Sequence, residues 1–213
     1  MKKRILAVDP HPLTLNGYDD LLKTEPDLEL AGIAQNPTTA LRLAREKSPD
    51  AVVTEFYFEK GGGLQLIKHL NTNTPEIGIL VVSYFDDLLF VSRSIEAGAK
   101  GFLHKSSGSD NVVEALRSIL DGGLYLSPPL QKIAAGSLTG NKSTTDLDAL
   151  TDRELEVFNK IAAGLTTREM AERLHISVKT VQTHRANIMD KLGIDTKEKL
   201  VRRAVIWSLE SAR

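Results

Sequence analysis

Five times in its first 120 residues the chain pairs a short continuous apolar run with a segment of helical period. The runs are Ile5 to Val8, Leu28 to Ala34, Ala51 to Thr54, Ile77 to Val82 and Gly101 to Leu103; the helices that follow are predicted over Leu13–Leu22, Thr38–Lys47, Leu64–Leu70, Leu88–Ala97 and Asn111–Leu120. Runs this short, apolar on both faces, suit strands buried on both sides. Five strand–helix units therefore predict a doubly wound α/β domain with a five-stranded parallel sheet. Ligand sites in such sheets lie beyond the carboxyl ends of the strands. The third run ends at a carboxylate, Glu55, which is costly to bury without a partner.

After residue 121 the pattern stops. GGLYLSPPLQKIAAGSLTGNKSTTDLD, residues 122 to 148, is rich in Gly, Pro, Ser and Thr, and its second part reads as an exposed linker. Charge divides at the same place. Residues 1–130 carry 13 Lys/Arg and 17 Asp/Glu, and residues 131–213 carry 14 and 11. An acidic front and a basic back fit two domains with different partners. The absence of cysteine excludes disulfides, zinc–thiolate sites and cysteine nucleophiles. The apolar run of MKKRILAVDP is too short for a signal-peptide core, so a cytoplasmic location with no membrane partner is expected.

The back region is helical throughout. Thr151 to Glu154 and Thr166 to Glu169 are capping boxes that open helices reaching about Ala163 and Leu174. His175, Ile176 and Ser177 form a tight turn, with Ser177 placed to cap a longer helix that ends at Leu192 before Gly193. A last helix is predicted over Thr196–Leu209. A short helix, a three-residue turn and a longer helix are the parts of a helix-turn-helix. In the longer helix Val178, Val181, Ile188 and Leu192 form the expected core stripe. Lys179, Gln182, Thr183, Ala186 and Asp190 recur on another face, where Gln182 and Thr183 can hydrogen-bond to bases. Thr180, His184, Arg185, Asn187 and Lys191 flank them as expected phosphate contacts. In the last helix Leu200, Ala204 and Trp207 make one apolar line, and Val201, Val205 and Leu209 make a second that a dimer could use.

The motifs L-T-x-R-E-x-E-V, I-A-x-G, E-M-A-x-x-L, I-S-x-K-T-V-x-x-H and K-L-G resemble the LuxR-type DNA-binding domain of the NarL/FixJ family. The resemblance implies a four-helix domain whose third helix enters the major groove of double-stranded DNA, and a homodimer formed through the fourth. With that tail, the front region resembles a response-regulator receiver of flavodoxin-like strand order 2-1-3-4-5. The division expected is a receiver over 1–126, a linker over 127–147 and the DNA-binding domain over 148–213.

Carried over position by position, the receiver resemblance makes Asp9 the first of two Mg²⁺ acids, with Pro10 in place of the second. Glu55 falls on the phosphoacceptor aspartate. Ser83 matches the switch hydroxyl, Phe102 the switch aromatic and Lys105 the lysine. The loop FYFEKGGG, residues 56 to 63, replaces the family's usual stretch. Mg²⁺ needs its carboxylates, and His11 is a poor substitute ligand. Glutamate adds about 1.5 Å of reach, and a misplacement of about 1 Å can cost roughly a hundredfold in rate. The expected function is thus a transcription regulator with an atypical receiver that works without phosphorylation, a degraded Mg²⁺ site and no cofactor. The alternative is conventional phosphorelay control through Glu55 or another acceptor such as Thr54, Ser83 or Tyr84, and whether a sensor kinase acts on the chain turns on this pocket. An enzyme is not expected: the first turn, DPHPLT, lacks the glycines of a phosphate-cradling loop.

Overall fold

The structure, a computed structural model, describes residues 1–58, 61–84, 88–127, 130–131 and 146–210. They form two compact units, taken in turn below. Most of the expected linker, residues 132–145, lies outside the described residues, as do Glu59 and Lys60 of the rebuilt loop.

The first unit alternates β1 (Lys3–Val8), α1 (Pro12–Thr24), β2 (Leu28–Ala34), α2 (Pro37–Lys47), β3 (Ala51–Thr54), α3 (Gly63–Asn73), β4 (Gly78–Ser83), α4 (Leu88–Glu96), β5 (Gly101–His104) and α5 (Ser109–Leu120). All pairings are parallel, and the order of these strands is β2-β1-β3-β4-β5. The predicted five-stranded order is present, and the sheet gains one edge strand, β6 (Tyr125–Leu126), beside β5. Its two residues are too few to carry a period. One face of the sheet, including Ile5, Ala7, Val53, Leu80, Val82 and Leu103, packs on Leu15, Leu22, Val112, Leu116 and Ile119 of α1 and α5. Side chains alternate along a strand, so Leu6, Val52, Ile79 and Phe102 serve the other face, all at most 1% exposed.

The start of the rebuilt loop folds inward. Phe56 and Phe58 are buried, and Phe56 meets Phe90 edge-on at 4.9 Å between ring centroids. Tyr57 is half-buried. Two of the loop's glycines have distinct reasons. Gly62 sits at φ 94° as the N-cap of α3, and a Cβ on Gly63 would lie 1.8 Å from the Phe56 carbonyl oxygen.

The second unit begins with a 3₁₀ turn (Asp146–Ala149), followed by α6 (Asp152–Ala162), α7 (Thr167–Leu174), α8 (Val178–Lys191) and α9 (Lys197–Glu210). Both capping boxes form, at Thr151 with Glu154 and Thr166 with Glu169, and Ser177 accepts from the Thr180 amide. His175 takes the left-handed conformation, φ 53°, so that the Ile176 amide closes on the Ala171 carbonyl at 3.0 Å. That turn sets α8 against α7. Gly193, φ 62°, stops α8. The core joins Leu155, Phe158, Met170, Val181, Ile188 and Trp207, with the Phe158 and Trp207 rings 5.5 Å apart. Val178 corrects the predicted stripe: as the first residue of α8 it is exposed, because the core contacts begin one turn later at Val181.

Candidate functional site

The strand register assembles the receiver pocket. Val8 pairs with Thr54, Thr54 with Val81, and Ser83 with His104. The residues that follow these strands therefore emerge side by side. Three amides fix them: Asp9 N–H donates to Ala34 O at 3.0 Å, Glu55 N–H to Val8 O at 2.9 Å and Lys105 N–H to Ser83 O at 2.8 Å. Asp9, Glu55, Ser83 and Lys105 converge on one point. Phe102 lies apart from it, fully buried on the sheet face opposite α1 and α5.

Each polar atom at that point is consumed by another. Lys105 Nζ lies 2.5 Å from Asp9 Oδ2 and 2.8 Å from Glu55 Oε2. Ser83 Oγ donates to Glu55 Oε1 at 2.5 Å, and the amides of Phe56 and Tyr57 donate to the same oxygen at 2.7 and 3.0 Å. The remaining Asp9 oxygen accepts from the His11 amide at 2.8 Å and has the His11 Nδ1 at 2.9 Å. Asp9, Glu55 and the Lys105 side chain are 1%, 4% and 6% exposed. Burial alone would push the Lys105 ammonium down, but the carboxylates of Glu55 and Asp9 hold it above the ordinary lysine value. Burial, reinforced by the same two carboxylates, drives the Tyr18 hydroxyl far up and keeps it neutral.

Mg²⁺ does not fit this arrangement. It demands near-octahedral oxygen ligation at about 2.0–2.1 Å. Among the described residues, Asp9 and Glu55 are the carboxylates gathered at this point. Their oxygens already serve an ammonium, a hydroxyl, a ring nitrogen and three amides. Among the described residues no group of three or more His, Asp or Glu side chains could hold a metal ion. Three supporting parts have no local signature in the sequence. One is the double contact of His11 on Asp9. Another is the pair of loop amides on Glu55, which depends on how FYFEKGGG turns. The third is the Tyr84 ring, its centroid 5.0 Å from Lys105 Nζ. His104 steadies that ring from one side, its Nε2–H donating to the Tyr84 carbonyl at 2.9 Å while Nδ1 accepts from Ser106.

The outer face of α8 is the opposite kind of site. Lys179, Gln182, Thr183, Ala186, Asn187 and Asp190 are exposed. Val181 and Ile188 hold the inner face. Thr180 is spent on the cap, its hydroxyl 2.8 Å from Ser177 Oγ. His184 and Arg185 are half-buried, and burial pushes the Arg185 guanidinium down. Lys191, expected among the phosphate contacts, is engaged within the protein. Its Nζ pairs with Glu154 Oε2 at 2.6 Å, tying the end of α8 to the capping box of α6. Burial raises the Glu154 carboxyl, but Lys191 and Thr151 outweigh it and leave the group below the usual carboxylate range. On α9 the two apolar lines separate. Leu200, Ala204 and Trp207 are buried, while Val201, Val205 and Leu209, joined by Ile206, are exposed. No described helix is long and apolar enough to cross a membrane.

Comparison with known proteins agrees with both regions. Residues 5–117 match the family described as response regulator receiver domain, and residues 148–204 match bacterial regulatory proteins, luxR family. The transcriptional regulatory protein MctR of Rhizobium johnstonii is 33% identical over 96% of this chain and 94% of its own. The response regulator GacA of Pseudomonas aeruginosa is 32% identical over 95% of each. Among solved structures, RcsB of Salmonella typhimurium aligns with a TM-score of 0.73 at 19% identity, covering 96% of this chain and 98% of its own. The chain belongs to the two-component response regulators that join a receiver domain to a luxR-family DNA-binding domain.

Proposed function

We propose that this protein is a cytoplasmic transcription regulator that binds double-stranded DNA as a homodimer and whose receiver acts independently of phosphorylation. One observation carries the reading: Lys105 Nζ sits between Asp9 and Glu55 at 2.5 and 2.8 Å, with Ser83 on the other Glu55 oxygen. The groups that the resemblance assigns to the metal and the phosphoryl oxygens are engaged with one another, around a carboxylate that reaches the lysine by its extra methylene. RcsB has been seen on promoter DNA in the presence of the phosphomimetic BeF₃⁻. Here the Glu55 carboxylate supplies a standing negative charge at that place. The exposed row Val201, Val205, Ile206 and Leu209 on α9 supports the dimer, since a contiguous apolar patch on a surface helix marks an interaction face. RcsB is itself described as dimers on DNA.

The test is DNA affinity, oligomeric state and intact mass of the full chain, with and without Mg²⁺ and acetyl phosphate. The expected result is no added phosphoryl mass, and unchanged affinity and dimerisation. A phosphoryl adduct accompanied by tighter DNA binding would overturn the reading in favour of ordinary phosphorelay control.

A further inference from the structure

The outer face of α8 offers several groups to DNA, but they are not equally available. Counting 100° per residue from the buried Val181, Ala186, Lys179, Asp190 and Thr183 lie within about 40° of the outward direction. Gln182 stands beside this ridge, and Asn187 lies on its far flank. The Thr183 hydroxyl donates to the Lys179 carbonyl at 3.1 Å, one turn back. Its proton is used, and what it presents outward is chiefly a methyl group. Asp190 is exposed at the C-terminal end of the ridge, where its carboxylate would face phosphates and disfavour close approach. Lys179 and the helix N-terminus favour phosphate at the other end. The first two turns of α8 should therefore sit deepest. In that half, Gln182 is the exposed side chain whose donor and acceptor are both left unengaged among the described residues, whereas the Thr183 proton is already used.

Resting on the DNA-binding reading above, we infer that Gln182 reads an adenine in each half-site, its amide accepting from N6–H and donating to N7, while Thr183 contributes a methyl contact to a neighbouring thymine. This is the major-groove pairing that a planar amide makes with adenine, and a threonine methyl complements the thymine methyl. The exposed methyl of Ala186 one turn on keeps the helix close enough for a side chain as short as glutamine to reach a base edge. Two copies would place the two adenines in inverted half-sites about one helical turn apart.

The experiment is selection of bound sites from randomised duplex DNA by the full-length protein, in the wild-type, Gln182→Ala and Gln182→Arg forms. The wild type should select an inverted repeat with one A·T pair fixed in each half. Replacing that pair by G·C should weaken binding roughly tenfold to a hundredfold. Gln182→Ala should lose the preference at that position alone, and Gln182→Arg should change it to G·C, because arginine pairs guanine O6 and N7. A motif that stays the same in all three forms, while affinity persists, overturns the assignment of Gln182 and leaves DNA binding intact. Failure of the wild-type protein to select any sequence overturns the DNA-binding reading as well. Gln182 is exposed, so unchanged circular dichroism is expected in every form.

Discussion

The receiver pocket and the outer face of α8 carry similar numbers of polar groups and use them in opposite ways. In the pocket, Asp9, Glu55, Ser83, His11 and Lys105 bond to one another and to the amides of Phe56 and Tyr57. On α8, Lys179, Gln182 and Asn187 face solvent. A buried polar cluster is stable when every member is satisfied, and satisfaction is what takes its members out of chemistry. A recognition surface is left partly unsatisfied so that a partner can complete it. The same physics that closes the front site leaves the rear one open.

Opening the pocket should cost the receiver most. Lys105→Ala would leave two nearly inaccessible carboxylates, Asp9 and Glu55, facing each other without a cation. Removing one partner of a buried pair costs about 3–5 kcal/mol, and urea unfolding of the full chain should show a loss of that order in the receiver transition. Glu55→Gln keeps the shape and the serine contact but loses the charge. It should cost about 1.5–3 kcal/mol, the worth of a hydrogen bond to a charged group. If the pocket holds the receiver in a DNA-competent form, Glu55→Gln should also weaken operator binding under conditions where the chain remains folded. Unchanged stability in both variants would mean the network contributes nothing. The pH dependence has a definite sign. Lys105 is raised in the folded chain, so its contribution is fully present below the ordinary lysine value and is lost only as pH rises through the folded one. Stability of the receiver transition should therefore show no Lys105 step between neutrality and pH about 10.

Most of this architecture is legible in the sequence because its signals are local. The parallel strands announce themselves as apolar runs. Thr151, Thr166 and Ser177 fall at their caps because each bonds an amide three residues on. Asp9, Glu55, Ser83 and Lys105 were grouped by the receiver resemblance, and each follows or ends a strand whose register aligns them. What escaped was set over distance or by loop shape. Lys191 looks like a phosphate ligand on a helical wheel, yet its carboxylate partner lies 37 residues away on α6. His11 reads as a failed metal ligand until the turn of Pro10 brings both its amide and its ring onto Asp9. The strand β6 has two residues and is held by its neighbour's register rather than by any pattern of its own.

The Lys191–Glu154 pair gives a smaller effect that separates positioning from binding. Lys179→Ala should weaken binding to all sequences alike and lower the salt-dependence slope by about one, as loss of one phosphate contact does. Lys191→Ala should leave that slope nearly unchanged and instead cost about 1 kcal/mol of stability. It should also move the acid unfolding of the second unit to higher pH. Glu154 is depressed in the folded chain, so its stabilisation is present above the ordinary carboxylate value and is lost as pH falls through the folded one. Without Lys191 that loss begins sooner. Parallel salt titrations and acid melts of the two variants give the comparison, and a full unit change of slope in Lys191→Ala would return it to the phosphate contacts.

Thr183 should show the smallest effect and test the reading of α8 most finely. Its hydroxyl proton is directed to the Lys179 carbonyl of its own helix, a bond that adds little because that carbonyl is already served by the helix. Thr183→Val exchanges the hydroxyl for a second methyl of similar shape. As an exposed substitution away from caps and core it should fall within about 0.5 kcal/mol of the wild type in thermal unfolding. If the outward contribution of Thr183 is a methyl, the valine variant should also select the same DNA motif as the wild type, whereas Thr183→Ala, which removes both groups, should relax the position beside the adenine. Should valine and alanine relax that position equally, the hydroxyl and not the methyl would be the reading group, and the bond to Lys179 would be one that DNA displaces.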